Sequence, residues 1–115
     1  MIGALQIQEI LAQYKKHGWT LRRVLLCPAT RESLTDSLEN LFGDAPVILS
    51  ETDAVWFSRP SGIGREAWEL RRLSNPPFAL VEVFEDEDDE AVREETLHEM
   101  QEQLINGKRK MQNEK

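Results

Sequence analysis

Residues 54–84 read AVWFSRPSGIGREAWELRRLSNPPFALVEVF, and the period of this stretch decides the fold. From Ala54 to Ser58 the apolar side chains divide between the two faces of an extended chain, Val55 and Phe57 against Ala54 and Trp56. The next seven residues, Arg59 to Arg65, carry turn chemistry, because Pro60 fixes φ while Gly62 and Gly64 permit positive φ. Ala67 to Leu73 alternates again, with Trp68 and Leu70 on one face and Ala67, Glu69, Arg71 and Leu73 on the other. Ser74 to Pro77 is a second turn, and Phe78 to Phe84 bears apolar groups on both faces. Three short strands divided by such turns predict an antiparallel meander.

Upstream of it, Leu21 to Cys27 reads as a central strand, apolar on both faces toward its end, and Pro28 stops it. Thr30 is a suitable N-cap for a helix over 31–42, striped by Leu34, Leu38, Leu41 and Phe42 and closed by Gly43. Val47 to Leu49 follows as a short strand. Strand, helix, strand in this order predicts a right-handed parallel crossover. The first helix, over 4–17, places Ile7, Ile10, Leu11 and Tyr14 on one face. Its end predicts a Schellman cap, with Gly18 at C′ and Trp19 touching Tyr14. The last helix, over 89–105, carries a stripe of Val92, Leu97, Met100 and Leu104 and ends at Asn106-Gly107.

The order α-β-α-β-β-β-β-α predicts one α+β domain over residues 1–107: a mixed sheet packed with three helices, followed by a polar, disordered tail over 108–115. The chain of 115 residues is 40 % apolar and 30 % charged, a balance that suits a folded core and excludes a membrane-spanning or disordered chain. No apolar run approaches the roughly 18 residues of a spanning helix. One cysteine, Cys27, forms no internal disulfide, and the first residues lack an export signal, so a cytoplasmic setting is expected. A net charge of −7, with the basic residues scattered in pairs, disfavours nucleic acid as a partner.

Four groups of residues invite a chemical reading. Asp53 at one strand start, Glu69 and Arg71 on the next strand and Glu82 on the strand after it form a candidate divalent-metal site, because hard cations take oxygen ligands. Asp53 with Glu69-Leu70-Arg71 resembles the acidic residue and Glu-x-Lys of restriction-nuclease-like metal enzymes. It departs where Arg71 replaces the lysine, since a guanidinium does not readily release a proton. A second motif, Cys27-Pro28-Ala29-Thr30, resembles the Cys-Pro-x-Cys or Cys-Pro-x-Ser segment of thioredoxin-like reductases but lacks a second cysteine. The plainer reading of these residues is cross-strand ion pairing for Glu69 and Arg71, and a strand stop and helix cap for the cysteine motif.

Arg59 and Arg65 flank a glycine-bearing loop that invites an anion, although Ser-Gly-Ile-Gly matches no phosphate-binding fingerprint. The fourth group is the acidic run Glu85, Asp86, Glu87, Asp88, Asp89 and Glu90, which suits the N-terminus of the last helix and also a docking face for a basic partner. Trp56 and Trp68 lie on neighbouring strands and form an interface patch if no helix covers them. Together these features favour a small module that binds another protein or itself, without cofactor or metal. The alternative is a metal-dependent hydrolase built on the carboxylates.

Overall fold

The computed structural model describes residues 2–74 and 76–106, so the tail expected at 108–115 lies outside the described residues. Its elements are α1 (Ala4–Lys16), β1 (Thr20–Leu26), α2 (Pro28–Ser33), a 3₁₀ turn (Thr35–Ser37), α3 (Leu38–Phe42), β2 (Val47–Leu49), β3 (Ala54–Pro60), β4 (Arg65–Arg72), β5 (Ala79–Glu85) and α4 (Glu90–Ile105). The strands form one sheet in the order β2-β1-β3-β4-β5. β1 and β2 are parallel, in the register Val24↔Val47, and every other pair is antiparallel. The meander and the parallel pair thus stand as the alternation predicted.

Helices cover both faces of the sheet. Against α4, Leu25, Ala54, Trp56, Trp68, Leu70 and Phe84 meet Leu97, Met100 and Leu104. On the other face Val24, Leu26, Val55, Phe57 and Leu73 meet Ile7 of α1, Leu34 and Phe42. The two faces alternate along β3, which is why its residues from Ala54 to Ser58 are all buried.

Local chemistry sets the ends of the elements. At the end of α1 the Trp19 N–H donates to the Tyr14 carbonyl and the Gly18 N–H to that of Lys15, both at 3.0 Å, with Gly18 at φ +88°. This is the Schellman motif, and the Tyr14 and Trp19 rings meet edge to face at 6.1 Å.

Three details differ from the expectation. The helix predicted over 31–42 starts earlier and is broken: Cys27 is its N-cap and Pro28 its first residue, a position where proline's missing N–H costs nothing. Ser33 Oγ donates to the Thr30 carbonyl and Thr35 Oγ1 to that of Glu32, and such local bonds compete with helix continuation. Thr30 lies inside the helix, its hydroxyl engaged elsewhere. In α4, Val92 is 58 % exposed, and Arg93 takes the inward position one residue on, in line with Leu97, Met100 and Leu104. An arginine stem is apolar enough to lie there.

Candidate interaction site

The three carboxylates of the metal reading are held apart. Asp53, nearly buried, accepts from the Cys27 backbone N–H at 2.8 Å through Oδ1 and from Thr30 Oγ1 at 2.7 Å through Oδ2. It ties the start of β3 to the first turn of α2. Glu69 faces α1, where it accepts the Tyr14 hydroxyl hydrogen bond. Glu82 stands opposite Trp68, on the α4 face of the sheet, and is exposed. Among the described residues no group of three or more His, Cys, Asp or Glu is placed to hold a metal ion. Glu69 and Arg71 share a face of β4, and among the described residues neither forms an ion pair, which corrects the expectation of cross-strand ion pairing. Cys27 and Thr30 are also in contact, Sγ to Oγ1 at 3.2 Å, so the motif works as a strand-to-helix joint.

Trp56 and Trp68 pair across β3 and β4, edge to face at 6.0 Å, and both are buried under α4. They are core residues, and the interface patch expected of them does not exist. Trp56 Nε1 donates to Gln101 at 2.9 Å, and Trp68 Nε1 to Glu66 at 2.8 Å, so each indole keeps its polar bond. A bulge in β1, where the register shifts between Leu21 and Arg23, brings both Arg22 and Arg23 over Trp68. Their guanidinium carbons lie 4.9 and 5.6 Å from the ring centroid, and Arg93 adds a third at 5.6 Å. Arg23 also bonds Glu94 at 2.7 Å, and that bond holds the Glu94 carboxyl below its ordinary pKa. Nothing in the sequence signalled this roof, because the bulge leaves no local mark.

Arg59 and Arg65 are each engaged elsewhere. Arg59 donates to the His17 carbonyl at 2.8 Å and lies 4.6 Å from the Trp19 ring, while Arg65 pairs with Glu85 at 3.4 Å. The loop is a hairpin turn closed by Ser61 N–H to the Arg65 carbonyl and Arg65 N–H to that of Gly62. It does not gather two cations around one anion.

The acidic run is exposed throughout. Asp88 accepts from the Glu85 N–H at 2.8 Å, and Asp89 caps α4 by accepting from the Ala91 N–H at 3.1 Å. Two of its six carboxylates therefore have local structural work, while Glu85 pairs with Arg65 and Glu90 with Arg93.

The run continues directly from β5, the edge strand. Leu80, Glu82 and Phe84 share the α4 side with Leu70 and Trp68, so Val81 and Val83 face the α1 side. No helix among the described residues covers them there, and they are 55 % and 47 % exposed. Between α1 and the end of β4 runs a groove of about 710 Å³, bordered by Ile10, Tyr14, Arg71, Leu73 and Pro77. Tyr14 is stacked flat on Phe57, centroids 4.0 Å apart. Burial, reinforced by the bond to Glu69 and that carboxylate's charge, raises its phenol well above the ordinary range.

Comparison of the chain with protein-family models, curated proteins and solved structures finds no match. No helix among the described residues is long and apolar enough to cross a membrane.

Proposed function

We propose that the protein is a non-catalytic binding module that captures an extended, basic segment of another protein along β5. The observation that carries this reading is the exposure of Val81 and Val83 on an edge strand whose outer backbone groups face no neighbouring strand among the described residues. An edge of this kind is a template for strand addition, in which main-chain hydrogen bonds supply affinity and alternate side chains supply selectivity. Glu82 and the exposed run from Glu85 to Glu90 adjoin that edge and favour a partner bearing Lys or Arg. A net charge of −7 on each copy opposes self-pairing along the same strand. The free thiol of Cys27 suits a reducing, cytoplasmic setting.

Panning a random peptide library on the immobilised protein tests the proposal. Enriched peptides are expected to alternate β-branched with basic residues, to lose binding at high salt, and to fail on the double variant Val81→Lys, Val83→Lys. Peptides that bind the double variant as well as the wild type would overturn it. Light scattering that finds a dimer dissociated by the same double variant would replace the partner segment with a second copy of the chain.

A further inference from the structure

The groove between α1 and β4 lies apart from the outer edge of β5 and has its own chemistry. Its volume of about 710 Å³ lies within the range of small-molecule sites. Ile2, Ile10, Leu73 and Pro77 supply apolar wall, and Arg71 supplies the cation.

The charge balance around Arg71 is unusual for so acidic a chain. Glu69 stands two residues away on the same face and is its obvious partner, yet Tyr14 donates to that carboxylate and the two form no ion pair. Among the described residues the ion pairs involve Arg23, Arg65 and Arg93, and none involves Arg71. The Arg71 guanidinium bonds the carbonyl of Arg72 and the Tyr14 phenol oxygen, and its remaining donors are open to other acceptors. Glu9 contributes the groove's acid, from an exposed position on α1. Gln6 and Gln13 add amide groups beside it.

We propose that this groove binds a small organic monocarboxylate, its carboxylate on the Arg71 guanidinium and its apolar body along Ile2, Ile10, Leu73 and Pro77. A planar guanidinium matches a carboxylate bidentately, and one cation between apolar walls suits one negative charge better than a phosphate's two. Tyr14 is then a positioning residue, since it bonds both the Glu69 carboxylate and the Arg71 guanidinium.

Titration of the full chain with octanoate and with neutral octanamide, followed by ¹H–¹⁵N NMR, tests the assignment. Octanoate is expected to shift amides at Ile10, Tyr14, Leu73 and Ser74, and octanamide to bind roughly tenfold more weakly, the size of one charge-assisted contact. Arg71→Gln should erase that preference, and Arg65→Gln should leave it intact. Equal binding of the two probes, a preference that survives Arg71→Gln, or shifts confined to Val81 and Val83 would overturn the proposal. The comparison of probes on the wild-type chain decides the matter even if Arg71→Gln does not fold.

Discussion

Thr30 and Asp53 are joined by a 2.7 Å hydrogen bond that is buried at both ends, and it holds two turns of chain that are remote in sequence. The same carboxylate satisfies the Cys27 N–H at 2.8 Å. Removing it with Asp53→Ala leaves both donors unsatisfied and is expected to cost about 2–4 kcal/mol. Thr30→Val should cost less, because the bond from Cys27 remains. Urea denaturation of the two variants measures the difference. Millimolar manganese should leave the wild-type melting temperature unchanged, since Asp53 is already engaged.

Tyr14 is the chain's one tyrosine, so tyrosinate absorbance reports on it alone. Its folded pKa is raised from the ordinary value of 10.0, chiefly by burial and then by Glu69. The unfolded chain therefore ionises first: stability from this residue is full below about pH 10 and falls as the pH rises beyond it. An alkaline titration should show no tyrosinate signal until the fold opens, and Tyr14→Phe should flatten the loss of stability in that range. A normal titration near pH 10 in the folded protein would contradict the geometry.

Gly18 sits at φ +88°, and a Cβ built there meets no atom within 4 Å. The cost of Gly18→Ala is therefore conformational alone, about 1–2 kcal/mol by the penalty for left-handed backbone. Thermal denaturation checks it, and Gly18→Asn should recover part of the loss.

Arg93 places its Nε in the interior without a hydrogen-bond partner, beside the Trp68 ring. Arg93→Met keeps the apolar stem and removes the unsatisfied donor, so it is expected to be neutral or stabilising by up to about 1 kcal/mol. Arg93→Ala removes the cover from Trp68 as well and should destabilise. Tryptophan emission, shifting to the red in the alanine variant, separates the two effects.

The features legible in the sequence are those whose determinants lie close together along it. Tyr14, Gly18 and Trp19 sit within one turn of each other, and their cap follows from spacing alone. The alternation from Ala54 to Phe84 likewise carries its own register. The bond from Tyr14 to Glu69, the clamp at Asp53 and the roof of arginines over Trp68 all depend on which strands become neighbours. A carboxylate on an alternating strand looks the same whether it meets a cation, a phenol or water, so Glu69 and Asp53 gave no sign of their partners. Val92 and Arg93 show the same limit on a helix, where aliphatic stem and charged head pull the reading apart.

The position of β1 between β2 and β3 bears on the order in which the chain assembles. β3, β4 and β5 are joined by short turns and close only local loops, so they form their pairs soonest. β1 must wait for that platform, because its antiparallel partner lies far downstream, and β2 then adds at the rim beside it. Substitutions in the β3–β4 hairpin should therefore slow folding, while those in β2 should mainly hasten unfolding. As the chain emerges from its N-terminus, α1, β1 and β2 must remain uncommitted until β3 and β4 exist to receive them.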